Sequence, residues 1–361
     1  MAELLPNTPP LATRLMRGTL WTVGMRWGIR VLSILNMIVL VRILDAKDFG
    51  LIAMAMAVVA FADRLTDLGI VWALVRDKDA AEPELNTAWT VRQGQMAFVA
   101  LIAFTSAPLV ASTYRTEEVG NVMQLIALTF LIRGFENIGV VQFQRQLEFE
   151  KDFAYRVLIK VIGVVVSISL ALWLRNYWAL AWAMVANATI GVTLSYIVSP
   201  YRPRWSLARW RQLWSFSQWV LSQGIARFFY EKGPILALGR LASPETVGHY
   251  TVSAEFATLP ATEVAAPVSR AVLPGFAKLR DEKNRLRQGY LKALGAVATV
   301  TIPLGLGLAC VAEDIVYLVL GAKWSPAITL LQIFSIFSAF VAIGSLTNNL
   351  LVVLDRVRQF S

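Results

Sequence analysis

Apolar residues recur in runs of about twenty, the length a helix needs to cross a hydrocarbon core of roughly 30 Å. The runs follow one another from Leu20 almost to the end of the chain. They predict ten helices, over 19–43, 49–75, 88–112, 119–141, 157–174, 178–199, 214–239, 247–269, 289–311 and 327–354. Pro108, Pro234, Pro260 and Pro267 lie inside the third, seventh and eighth, where a missing N–H and a bulky ring interrupt the hydrogen-bond ladder. The pattern implies an all-α, polytopic membrane chain.

Composition sharpens this picture by exclusion. Of 361 residues, 57% are hydrophobic and 16% charged, against about 45–50% and about 25% in an average soluble domain. The single cysteine, Cys310, permits no internal disulfide, and the single histidine, His249, permits no His-rich metal site, so no cofactor is expected. Arg14 and Arg17 precede an apolar run far longer than the core of a cleaved signal, so the first helix is expected to stay attached.

Charge supplies a test of the ten-helix parse, because alternate loops of a membrane protein differ in Lys and Arg content. With the N-terminus in the cytoplasm, 20 of the 34 basic residues fall on the inner side. The outer side holds 6: Arg42, Lys47, Arg115, Arg175, Arg240 and Lys323. The net charge of +10 is therefore read as a topology signal spread over six inner segments, and nucleic acid is excluded as a partner.

An internal repeat appears at an offset of 198 residues. Arg42-Ile-Leu-Asp-Ala-Lys-Asp-Phe-Gly50 lies over Arg240-Leu-Ala-Ser-Pro-Glu-Thr-Val-Gly248. Upstream, Leu20-Trp21 and Leu213-Trp214 open the preceding runs. A six-helix unit used twice in parallel explains the spacing, and such repeats build central cavities in one class of transporter. Two lobes are expected, 1–200 with six helices and 201–361 with four, the second copy being incomplete.

Several short segments resemble bacterial polysaccharide exporters and lipid-linked oligosaccharide flippases of the multidrug/oligosaccharidyl-lipid/polysaccharide superfamily, most nearly the colanic-acid and teichuronic-acid exporter type. They are Arg42-Ile-Leu-Asp-Ala-Lys-Asp-Phe-Gly-Leu51, Asp67-Leu-Gly-Ile70, Gln144-Arg-Gln-Leu-Glu-Phe149, Tyr177-Trp-Ala-Leu180, Val247-Gly-His-Tyr250 with Leu259-Pro260, and Leu320-Gly-Ala-Lys-Trp324. The resemblance implies a helical inner-membrane transporter, not an enzyme. It implies a polyprenyl diphosphate-linked glycan as substrate, with membrane lipids and a polysaccharide polymerase or export machinery as partners. Members usually have twelve to fourteen helices, so a ten-helix chain is expected to be shorter than its relatives.

Charges inside apolar runs carry the candidate chemistry. Arg26 and Arg30 share one face of the first helix, and Asp63 and Asp67 one face of the second. In a hairpin Arg30 would lie level with Asp63 and Arg26 with Asp67. These pairs can be purely structural, or the arginines can face a cavity and grip phosphate, as the resemblance implies for basic residues in the first helices. Arg64 is a further anion-binding candidate, together with Arg133, Arg227 and Lys232. Within-helix pairing is the competing reading for Arg133 with Glu136 and for Arg227 with Glu231. Asp63, Asp67, Glu255 and Glu263 are the candidates for coupling to H⁺ or Na⁺.

Other features read as structural. Trp205, Trp210 and Trp214 among Arg202, Arg204, Arg209 and Arg211 form an interfacial anchor against anionic lipid. Gly24 and Gly28 form a helix-contact motif, and His249 sits at a helix end. Two alternatives stand beside glycan export: a cation-coupled small-molecule exporter, which requires a narrower and more acidic cavity, and a membrane-embedded glycosyltransferase or polymerase, which requires a large outer loop or an acidic metal motif.

Overall fold

The computed structural model describes residues 11–66, 82–208 except 147, 228–265 except 260, parts of 267–279, and 282–354. Among them every regular element is helical. Lipid cannot hydrogen-bond an exposed peptide group, so a chain this apolar must satisfy its backbone within each segment. The chain divides into two compact units, Met1–Val247 and Gly248–Ser361.

The first unit contains α1 (Leu11–Ile43), α2 (Ala46–Thr66), α3 (Glu82–Tyr114), α4 (Glu117–Gly134), the short α5 (Val141–Arg145), α6 (Phe149–Leu174) and α7 (Tyr177–Val198). Residues 228–241 are also helical. A further helix, α8 (Pro244–Ala257), crosses into the second unit. There it is followed by a π-helical turn (Ala261–Ala265), α9 (Lys283–Cys310), α10 (Ala312–Ile315) and α11 (Ala327–Val353). Among the described residues six helices are long and apolar enough to cross a membrane, or seven if α4 and the bent segment after it form one span. Where they are described, the expected runs coincide with helix apart from end residues, a break at 135–137 in the fourth and a turn at 258 in the eighth; 67–75 of the second, 214–227 of the seventh and 260, 266 and 269 of the eighth lie outside the described residues.

One expected span is not a single rod. The run 119–141 breaks after Gly134 and turns by 64° into the Ile138–Arg145 segment. Asn137 directs the break: its side chain accepts from Gly139 N at 2.9 Å and donates through Nδ2 to the Tyr201 carbonyl at 2.7 Å. Periodicity cannot reveal such a corner, because its second partner lies 64 residues away.

Small residues bring the helices together. α3 packs on α4, where a β-carbon on Gly120 would lie 3.1 Å from Ala111 Cβ and 3.2 Å from the Ala107 carbonyl. Close approach of this kind replaces the hydrophobic drive that lipid removes. α1 packs along α6, with Ser167 Oγ donating to Asn36 Oδ1 at 2.7 Å and Trp21 edge-on to Phe153. α2 packs on α3, α4 and α7. Gly24 and Gly28 face open space, so the expected helix contact at that motif is not made among the described residues. Phe98, Leu101, Phe104 and Leu109 point outward along α3, as lipid contact requires.

After α7 the chain is fastened as a strap across the start of α3. Tyr201 Oη donates to Asn86 Oδ1, Arg204 N donates to the same oxygen at 2.7 Å, and Ser206 N donates to Thr90 Oγ1 at 3.0 Å. Trp205 meets Trp89 edge-on at 5.1 Å but is otherwise exposed, as an interfacial anchor should be. Burial, with Glu82 and Tyr196 nearby, pushes the Tyr201 phenol up to about 12, so it stays a neutral donor.

The two repeat segments fold into the same corner. Leu44 N bonds the Leu40 carbonyl at 2.8 Å, and 198 residues later Ala242 N bonds the Leu238 carbonyl at 2.7 Å. Asp48 Oδ2 accepts from Asp45 N, while Ser243 Oγ accepts from Thr246 N, so each turn is capped from the same two positions by opposite halves of a capping box. Pro244 stands at the first helical position of the second copy, where no donor is lost.

In the second unit α9 packs along α11, and Trp324 anchors the corner before α11. Trp324 is fully buried with His249 edge-on to its ring at 5.5 Å, and Ser253 Oγ donates to the Ala327 carbonyl. His249 is thus a packing residue. At the α9–α11 crossing a β-carbon on Gly305 would lie 2.7 Å from the Ser335 carbonyl oxygen, whereas one on Gly307 would meet nothing within 4 Å. Gly305→Ala should therefore cost about 1–3 kcal/mol through forced separation of two backbones. Gly307→Ala should be neutral or slightly stabilising. Thermal unfolding of the two purified variants checks this, and equal midpoints would contradict it.

Candidate functional site

Polar groups gather within the first unit where α4, α6 and α7 meet around a pocket of about 310 Å³. Thr129 and Arg133, one turn apart on α4, share its wall with Glu136. α6 contributes Ile159, and α7 contributes Met184, Asn187, Gly191 and Val192. α4 and α7 bring the polar side chains, while Ile159, Met184 and Val192 are apolar, so the pocket has a wet wall and a dry one.

Of the two readings of Arg133, pairing with Glu136 is not the one found. Glu136 instead accepts from Arg92 Nη2 on α3 at 2.6 Å and from Tyr155 Oη on α6 at 3.0 Å. The Arg92 and Glu136 side chains are 18% and 24% exposed, so the pair is partly desolvated and holds α3, α4 and α6 together at one level. Arg133 makes no ion pair among the described residues; its guanidinium carbon lies 6.0 Å from the Phe130 ring centre. Three residues apart on a turn that ends the helix, Arg133 and Glu136 leave in different directions. Arg92, Tyr155, Thr129 and Asn187 could not be singled out from the sequence, because a single polar residue in an apolar run carries no local sign of its partner.

The other candidate residues are distributed over both units. Arg26 and Arg30 are half-buried on α1, Asp63 is half-buried on α2 and Arg64 is exposed beside it. Lys232 is half-buried in the 228–241 helix with Glu231 exposed. In the second unit Glu255 on α8 is exposed and Glu263 in the π-helical turn is half-buried. Asp67 and Arg227 lie outside the described residues.

This architecture is that of a helical, multi-pass membrane protein. It resembles the lipid II flippase MurJ in its inward closed conformation with a TM-score of 0.72, at 11% identity over 94% of this chain and 77% of that one. The chain belongs to a family described as polysaccharide biosynthesis protein, whose pattern matches residues 39–329. Its relatives include the lipopolysaccharide biosynthesis protein WzxC of Escherichia coli (strain K12), 24% identical over 355 residues that cover 96% of this chain and 71% of the relative. The succinoglycan biosynthesis transport protein ExoT of Rhizobium meliloti (strain 1021) is 25% identical over 321 residues, 88% of this chain and 64% of ExoT.

Removing one member of the Arg92–Glu136 pair strands a partly buried charge. Glu136→Ala is expected to destabilise the first unit by about 3 kcal/mol, and the double exchange Arg92→Glu with Glu136→Arg to recover much of that. Melting temperatures of the single and exchanged variants test this; full stability of Glu136→Ala would show that the pair carries no structural load.

Proposed function

We propose that this protein exports lipid-linked oligosaccharide or polysaccharide repeat units across the bacterial inner membrane. The observation that carries this reading is membership of the polysaccharide biosynthesis family over residues 39–329. The transport name of one relative and the flippase-like fold agree with it.

A charged group at the bilayer centre costs from about 2.5 to more than 10 kcal/mol, so a glycan on a lipid diphosphate needs a hydrated cationic path. We assign that path to the basic groups of the helical segments. Arg26, Arg30, Arg64, Arg133, Arg227 and Lys232 supply its positive charge, and the lipid tail stays in the bilayer alongside. Arginine suits the role because its planar fork binds two oxyanion atoms and keeps its charge when desolvated. An anion leaving an inside-negative cell gains about 2.3 kcal/mol per charge per 100 mV. Asp63, Asp67, Glu255 and Glu263 are the groups that would couple export to H⁺ or Na⁺. Downstream, a polysaccharide polymerase would consume the delivered repeat units.

The test is complementation in a bacterium lacking its own exporter, with surface polysaccharide as the readout. Arg26→Ala, Arg30→Ala and Arg64→Ala should reduce export more than the Lys variants at equal protein level, because Lys keeps the charge and loses only the fork. Wild-type export by all three Ala variants would end the assignment. The N-terminus is placed in the cytoplasm, so reporters in the 200–212 and 270–288 loops should read cytoplasmic and one near 243 periplasmic. Any reversal among the three would overturn that orientation.

A further inference from the structure

We propose that the pocket between α4, α6 and α7 is a subsite for one acidic sugar residue, with its carboxylate on Arg133 and its ring hydroxyls on Thr129 and Asn187. This deepens the export reading above and rests on it.

Charge selects the class of ligand. Glu136 is already matched by Arg92 at 2.6 Å and by the Tyr155 hydroxyl at 3.0 Å, and that hydroxyl lies 3.3 Å from the Gly191 carbonyl. Arg133 lines the same pocket without an ion pair among the described residues. The local balance is thus a single positive charge, which suits one carboxylate and leaves a diphosphate under-neutralised. Arginine offers that carboxylate two parallel bonds.

Neutral polar groups call for hydroxyls beside the acid. Thr129 is 4% exposed, and its Oγ1 is buried with no hydrogen-bond partner. An unmet polar atom in a membrane helix is costly, and a ligand hydroxyl removes the cost. The Asn187 amide is exposed on the pocket wall and has room there because α6 carries glycine opposite: a β-carbon on Gly163 would lie 2.7 Å from Asn187 Oδ1. Ile159, Met184 and Val192 form the dry wall that the C–H face of a pyranose covers. The volume of about 310 Å³ stands at the small end of ligand pockets, enough for one ring and too little for a chain of them.

The full chain in phosphatidylcholine nanodiscs should be tested by saturation-transfer NMR against glucuronate, glucose and acetate at equal concentration. Glucuronate should give the dominant signal, because only it carries both the acid and the hydroxyls. Arg133→Gln should weaken glucuronate binding about tenfold, the scale of one lost charge-assisted contact, with Arg133→Lys intermediate. Gly163→Ala should weaken it while leaving the melting temperature unchanged, since the new methyl displaces only the mobile end of Asn187. Equal signals for glucuronate and glucose, or indifference to Arg133→Gln, would overturn the proposal. Displacement by inorganic phosphate at equal concentration would make this a general anion site and overturn the sugar assignment. Loss of the signal when the discs contain phosphatidylglycerol would assign the pocket to a lipid headgroup and overturn it equally. The binding assay requires no transport, so its failure leaves the export reading standing, and failed complementation leaves the binding result standing.

Discussion

A peptide group in lipid has no water to turn to, and most features of this protein follow from that constraint. Each apolar run closes its hydrogen bonds within itself as a helix. Where a run must end or bend, a polar side chain takes over the loose backbone groups. Asn176 does so at the start of α7 by accepting from Trp178 N, and Asn137 does so at the corner after α4. Arg175, at a φ of 49°, lets α6 stop in one left-handed residue, so that α7 begins two positions later.

The same constraint explains how the polar groups inside the first unit are arranged. Glu136 draws Arg92 and Tyr155 from two other helices. The three-way contact leaves Arg133 unmatched at the pocket wall. A charge that looks redundant in the chain is thereby available for a ligand.

The strap after α7 shows how a connection between helices becomes part of the fold. Gly139 lies beneath it, and a β-carbon there would meet the Ser199 hydroxyl and stand 2.8 Å from Tyr201 Cβ. Asn86, Thr90 and Asn137 hold the strap from below through backbone and phenol bonds. The chain is therefore fixed to α3 as far as Ser206.

Hydrophobic period and length by themselves determined that this is an all-helical membrane chain and where its helices lie, because both follow from local backbone chemistry and the thickness of lipid. The likeness of the two corner segments was legible for the same reason: Asp45 to Asp48 and Ser243 to Thr246 are local capping turns, written in residues three apart. The break at Asn137 and the partner of Glu136 were not legible. The first depends on Tyr201, 64 residues on, and the second on Arg92, 44 residues back. Only helix packing brings such positions to one level, since a side chain in an apolar segment must find its partner wherever the neighbouring helix presents one.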